Sequence, residues 1–231
     1  MLNFIIGRNN SGKTEKIRAL IAERASENKK CILIVPEQFS FESERSILEK
    51  IGAKKMLNVD ILSFTRLAFV INEQYGKALN KTIDDGTRKV LMSLSLEALS
   101  GKLEYFKRFS SKPALLSNLL TFVTELKQCA VTPDEIAEIS GKTGNKSLGK
   151  KLSELSLIAA SYDALVSRSF FDDENLLTIA ADVISETDFF DGKTVYFAAF
   201  CGFTKQERNC IKSILPKAEN VFISLCTDRD L

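Results

Sequence analysis

Gly7-Arg-Asn-Asn-Ser-Gly-Lys-Thr14 sets two glycines, a lysine and a threonine at the spacing GxxxxGK[ST]. Chemistry that uses this spacing is phosphate binding. Gly7 and Gly12 let the backbone turn so that successive N–H groups, those of Asn10 and Ser11 among them, point into one hollow, and a helix starting there adds its positive end. Lys13 is placed to reach the β- and γ-phosphates of a nucleotide, and Thr14 to offer its hydroxyl to Mg²⁺. The expected contacts are therefore Gly7, Asn10, Ser11, Gly12, Lys13 and Thr14, with ATP and Mg²⁺ as cofactors and Thr14 meeting the metal through the nucleotide. The motif also lies between the apolar run Asn3–Ile6 and an amphipathic stretch from Glu15, the setting it requires. A chance glycine-rich turn is the alternative.

Hydrolysis needs a second part, a carboxylate at the end of a neighbouring strand. The natural place is Thr194-Val-Tyr-Phe-Ala-Ala199, which ends without one. Asp191 precedes that strand, and Glu207 belongs to Thr204-Lys-Gln-Glu207, a capping box that explains it better than catalysis does. Two further segments fall where loops leave strands: Val35-Pro-Glu-Gln-Phe-Ser-Phe-Glu-Ser-Glu44 and Leu62-Ser-Phe-Thr-Arg-Leu-Ala-Phe69. Each mixes an aromatic with amide, hydroxyl or guanidinium groups, the means by which unpaired bases are stacked and read. The competing reading makes Phe41 and Leu67 core and Ser63 a helix cap. The basic stretch Gly144-Asn-Lys-Ser-Leu-Gly-Lys-Lys151 reads as a solvated loop, and the carboxylates of Phe170-Phe-Asp-Asp-Glu-Asn175 as a helix start rather than a metal site.

These groups are held by two kinds of pattern. Buried-strand runs (Asn3–Ile6, Cys31–Val35, Asn58–Leu62) alternate with helical spacing (Glu15–Glu27, Phe39–Ile51, Ser63–Tyr75), the signature of a parallel sheet with crossover helices. From Gly86 the pattern turns helical, through Thr87–Leu99, Pro113–Cys129, Pro133–Ile139, Leu148–Val166 and Glu174–Ile184; Thr132-Pro-Asp-Glu135 marks one helix start as a capping box. Strand-like runs return at Thr194–Ala199 and Asn220–Leu225, around a helix at Gln206–Leu215. The expected fold class is α/β: residues 1–85 open a P-loop domain, 86–188 form an all-helical insertion, and 189–231 supply the closing strands. The last residues, Thr227-Asp-Arg-Asp-Leu231, follow a strand directly and read as a truncation.

Composition narrows the chemistry. With no histidine, His-based triads, HExxH zinc sites and 2-His-1-carboxylate iron sites are excluded on this chain. A net charge of +2 gives no general affinity for nucleic acid while leaving room for a local basic groove. Five cysteines without a CxxC pair read as buried cytosolic thiols rather than a metal or cluster site. No apolar run reaches the roughly 18 residues of a membrane span, so a cytoplasmic location without membrane contact is expected.

The order and spacing of several motifs resemble the amino-terminal part of the AddB family, which supplies the second polypeptide of bacterial ATP-dependent helicase/nucleases that process DNA double-strand breaks for recombination. They are the amino-terminal P-loop, Leu33-Ile-Val-Pro-Glu-Gln-Phe-Ser-Phe-Glu-Ser-Glu44, Leu62–Phe69, Phe170-Phe-Asp-Asp-Glu-Asn-Leu-Leu177 and Phe200-Cys-Gly-Phe-Thr-Lys-Gln-Glu207. The resemblance implies a superfamily-one helicase-like first domain with an inserted helical subdomain, and an AddA-like helicase/nuclease partner in a heterodimer acting on single- and double-stranded DNA. It also implies that Gln38, Ser40, Phe64, Arg66 and Phe69 face a single-stranded DNA channel where a recombination hotspot is recognised. Two departures stand out. Ala198-Ala199-Phe200 replaces the family's usual Asp-Gly-Phe, and the family's later helicase motifs, nuclease domain and iron–sulfur cysteines have no counterpart in these 231 residues. The resemblance therefore implies no catalytic residue, no nuclease site and no cluster in this stretch, and little ATPase activity by it alone. Two other readings stay open: a free-standing P-loop NTPase or kinase acting on a small molecule, and a scaffold with a relic P-loop.

Overall fold

A computed structural model describes residues 1–76, 83–107, 112–169 and 173–227. Five strands form one sheet: β1 (Leu2–Gly7), β2 (Cys31–Ile34), β3 (Val59–Leu62), β4 (Thr194–Phe197) and β5 (Asn220–Cys226). All run parallel, in the order β1-β5-β4-β2-β3. Being parallel, they release every following loop at the same edge, which is why the chemistry-bearing segments can collect there. The neighbour of β1 is β5, paired from Leu2↔Val221 to Gly7↔Cys226. This corrects the expectation that Thr194–Ala199 stands next to it: β4 is one strand further away.

On one face, α1 (Lys13–Ser26) and α2 (Ser40–Ile51) bury Ile17, Ile21, Ala25 and Ile47 against Cys31, Leu33 and Val35 of the β2 segment and Tyr196 of β4. A short α3 (Ala53–Met56) leads from α2 into β3. Fully burying one such aliphatic side chain contributes about 1.5–3 kcal/mol, which offsets the cost of ordering the backbone around it. On the opposite face lie α4 (Phe64–Tyr75), α9 (Asp173–Glu186) and α10 (Lys205–Ile214). They are tied in series: Asn72 Nδ2 donates to the Leu176 carbonyl at 3.0 Å, and Gln206 Nε2 to Thr178 Oγ1 at 2.9 Å.

The chain divides into two compact units, Met1–Lys77 with Leu176–Leu231, and Ala78–Asn175. The second unit contains α5 (Asp85–Ala98), α6 (Pro113–Gln128), α7 (Pro133–Lys142) and α8 (Lys146–Ser169) around Met92, Leu96, Val123 and Ile158. Within it the buried Glu154 carboxylate accepts the backbone N–H groups of Glu104, Tyr105 and Phe106 at 2.8–3.0 Å. The expected loop at Gly144–Lys151 is instead a helix start: Asn145 Oδ1 accepts the N–H groups of Ser147 and Leu148, so α8 begins at Lys146. Residues 170–172 of the acidic segment and residues 228–231 lie outside the described residues.

The cysteines also depart from expectation. Cys31 and Cys210 are buried, but Cys129, Cys201 and Cys226 are exposed. These three stand at a helix end, in a loop and at the last position of a strand, where the packing that covers the middle of each element has run out. Among the described residues no helix is long and apolar enough to cross a membrane.

Candidate functional site

The loop leaving β1 turns through two left-handed residues, Asn10 (φ 58°) and Gly12 (φ 83°). Asparagine and glycine are the residue types that tolerate this region at least cost. The Ser11 N–H donates to the Arg8 carbonyl at 3.3 Å, and the Asn10 N–H to Asn9 Oδ1 at 3.1 Å. Gly12 is the N-cap of α1, and having no side chain it leaves the first-turn N–H groups without a capping oxygen of its own. The Lys13 ammonium folds back over the loop, donating to the Gly7 carbonyl at 2.9 Å and to that of Arg8. A Cβ at Gly7 would press on the Ser11 hydroxyl and force that side chain to shift.

Lys13 is half-buried, while Thr14 is exposed on the first turn of α1. Glu15, a carboxylate that would oppose an anion, is paired with Arg18 and with Lys50 at 3.6 Å. The hydrogen bond from Arg18 holds its carboxyl below the usual carboxylate range. The hollow therefore fits a phosphate chain: left-handed turn residues, uncapped helix N–H groups, a lysine spanning the turn and a hydroxyl at the helix start.

No carboxylate stands at the end of β4. Ala198 is buried, with its N–H bonded to the Ile34 carbonyl at 3.0 Å, and Ala199 takes a left-handed φ of 65°. An L-residue is strained there by roughly 1–2 kcal/mol, which glycine would not be. Glu207 is committed elsewhere: its carboxylate accepts the Thr204 N–H at 2.7 Å, and Thr204 Oγ1 accepts the Glu207 N–H at 3.2 Å. The capping box read from the sequence is present in full.

Farther along the same edge, the sheet order β4-β2-β3 brings three loops together around a cavity of about 470 Å³. Gln38 and Phe39 come from a 3-10 turn at Glu37–Phe39, Phe64 and Thr65 from the start of α4, Phe200 from the β4–α10 connection and Glu207 from the first turn of α10. Gln38 and Arg66 are exposed, and Phe69 is half exposed one turn along α4 from Arg66, on the face turned away from the core. Ser63 caps α4 by accepting the Arg66 N–H at 3.1 Å, and Leu67 is core, as the competing reading held; Phe41, by contrast, is 78% exposed.

Ser40 and Phe64 are placed differently from Gln38, Arg66 and Phe69. Ser40 is buried at the start of α2, with its Oγ lacking a hydrogen-bond partner. Phe64 is 6% exposed and packs against Phe197 (5.8 Å between centroids), Phe200 (5.4 Å) and Phe203 (6.3 Å). The open aromatic faces on this edge are Phe39, Phe41 and Phe69. Phe39 was a quieter signal in the sequence, because nothing local tells that Ser40, and neither phenylalanine of the Phe-Ser-Phe run, is the residue that turns inward.

The sequence profile described as ADDB, N-terminal, matches residues 4–231. Among similar curated proteins are three AddB-type chains whose names describe them as ATP-dependent helicase/deoxyribonuclease subunits. That of Clostridium tetani is 34% identical over 98% of this chain, that of Clostridioides difficile 32% over 98%, and that of Acetivibrio thermocellus 30% over 98%. In each case the match takes up 20% of the relative, so this chain spans about a fifth of their length. With a profile match running from the first strand of the sheet to Leu231, the chain belongs to the AddB amino-terminal family.

Proposed function

We propose that this chain is the helicase-like amino-terminal part of a helicase/exonuclease subunit that processes DNA double-strand breaks for recombination. In this reading it binds ATP with Mg²⁺ at Gly7–Thr14 and single-stranded DNA across the loop edge built by Gln38, Ser40, Phe64, Arg66 and Phe69. Its partner is an AddA-like subunit in a heterodimer on DNA, in the cytoplasm. The observation that carries the nucleotide half is the Lys13 ammonium drawn across the Gly7 and Arg8 carbonyls, above a helix that starts at a left-handed glycine. Lys13 would exchange those carbonyls for phosphate oxygens, and Thr14 would hold the metal that accompanies them. On the DNA half, Arg66 and Phe69 offer a charge and a stacking face one turn apart, while Phe64 and Ser40 shape the floor beneath them.

The same geometry supports weak chemistry. The P-loop holds the phosphates, but Ala198-Ala199 offers no group to orient Mg²⁺ or water, and the arginine a second helicase domain would bring belongs to other sequence. The match to a helicase/nuclease family weighs against the small-molecule kinase. A calorimetric titration with ATP·Mg, followed by one with a single-stranded oligonucleotide, tests both halves. Saturable binding of each is expected. Binding of neither, by a folded chain, leaves only the scaffold reading.

A further inference from the structure

We infer that a cavity at the opposite edge of the sheet, where the strands begin, takes a neutral planar heteroaromatic ligand, a nucleobase carried as an uncharged nucleoside. The cavity measures about 330 Å³ and lies between the starts of β1, β4 and β5 and the last turns of α1. Its shape comes from one row across three strands. Tyr196 pairs with Phe222 and Phe222 with Asn3, so the three side chains share the face covered by α1. The Tyr196 and Phe222 rings stack at 5.1 Å, with 12° between their planes. Tyr196 is buried and covers one face of Phe222, which leaves the other face of that ring toward β1. There the row carries the short Asn3 in place of a third ring, and the room for one further plate stays open. A flat ligand completes the stack.

Polar groups surround that space. Asn220 precedes Phe222 by two positions on β5 and so stands on the same face as Asn3. Among the described residues neither amide is taken up by a side-chain hydrogen bond. Each amide offers a donor and an acceptor together, the pairing that a base edge presents in return. Along α1, Leu20, Glu23, Arg24 and Glu27 follow at i, i+3, i+4 and i+7 and form the opposite wall. Leu20 supplies apolar cover, and the carboxylates of Glu23 and Glu27 suit the hydroxyls of a sugar.

Charge decides against a phosphate. The carbonyl end of α1 lies at the cavity, and that end disfavours anions. The cations nearby are already matched: Arg24 with the Glu219 carboxylate, Lys29 with Glu27, and the Met1 ammonium with the Glu219 carbonyl. The cavity is also separate from any nucleotide at Gly7–Thr14, because α1, 14 residues long, sets the two about 20 Å apart. The inference stands whether or not ATP or DNA binds at the other edge.

Titration of this chain with adenosine tests it, read by ligand-observed NMR with and without magnesium tripolyphosphate, which fills Gly7–Thr14 without bringing a base. Saturable binding, unchanged by tripolyphosphate, is expected. Asn3→Phe supplies the third plate, so it should abolish adenosine binding and leave the melting temperature equal or higher. Phe222→Leu removes the stacking face and should weaken binding roughly tenfold or more. A single-stranded oligonucleotide should not compete, since its phosphates would meet the carbonyl end of α1. Absence of saturable binding overturns the inference, as does equal affinity in a folded Asn3→Phe protein. Displacement by tripolyphosphate gives the ligand to Gly7–Thr14, and competition by the oligonucleotide gives the cavity to DNA; either overturns it as well.

Discussion

At the scale of single residues, four side chains carry separable consequences. Lys13→Ala removes a charge-assisted contact, so ATP affinity should fall by roughly 1.5–3 kcal/mol, read by calorimetry. Equal affinity for both proteins would refute the nucleotide site. Phe69→Ala should weaken single-stranded DNA binding by about 1–3 kcal/mol without moving the melting temperature, since half of that ring is open. Phe64→Ala behaves differently: it empties a buried aromatic cluster and should cost about 3–5 kcal/mol of stability, seen in urea denaturation before any DNA is added. Ala199→Gly should stabilise by up to about 1 kcal/mol, because relief of a left-handed alanine outweighs the added freedom of the unfolded chain. The tight turn at Gly7–Thr14 was legible because its residue types are dictated locally by turn geometry. The inward turn of Phe64 was not, since it depends on Phe197, Phe200 and Phe203, more than a hundred positions away.

At the scale of elements, local hydrogen bonding decided what could be read. Both capping boxes, Thr132 with Glu135 and Thr204 with Glu207, formed as their spacing implies. Thr204→Ala should therefore cost about 1 kcal/mol of stability and leave nucleotide affinity unchanged. The start of α8 was misread because glycine and lysine at 144–151 mask one good cap, Asn145, whose effect appears only once its two N–H partners are in place. Glu154 could not be recognised from sequence at all. Its three N–H donors lie some fifty residues upstream, and a glutamate among helical residues looks like any solvated position. Glu154→Ala leaves the buried Phe106 N–H unsatisfied and strips two part-buried N–H groups of their acceptor, and should destabilise the helical unit by about 1–3 kcal/mol, measured as a loss of helix signal at lower urea. Strand order followed from no local pattern. Which strand flanks β1 is settled by a pairing between opposite ends of the sequence.

For the molecule as a whole, protonation and turnover both follow from what is enclosed. Burial pushes the Cys31 thiol up to about 11 and the Cys210 thiol to about 12, and drives the Tyr196 phenol higher still. In the unfolded chain these groups lose their protons at lower pH. Their share of stability is thus complete below the ordinary thiol value of 9.0 and disappears as pH rises through about 11 to 12. The urea midpoint should fall between about pH 8 and about pH 11, and an unchanged midpoint would contradict the burial. At neutral pH a thiol reagent should modify Cys129, Cys201 and Cys226 in the native chain, and Cys31 and Cys210 only after unfolding. ATP turnover by this chain alone should stay far below 1 per second, the lower range of working enzymes, with or without DNA; each missing electrostatic contributor commonly costs about a hundredfold to a thousandfold. The β1–β5 ladder also bears on how the protein is made. Leu2 leaves the ribosome long before Val221, so at about 5–20 residues per second β1 waits on the order of 10–40 s for its paired neighbour in this sheet. During that wait Phe4, Ile5 and Ile6 form an unpaired, apolar strand, the kind of nascent segment that chaperones shield and that aggregation recruits. Slowing translation should therefore lower the soluble yield of this chain, and a polar residue at position 4 should restore it.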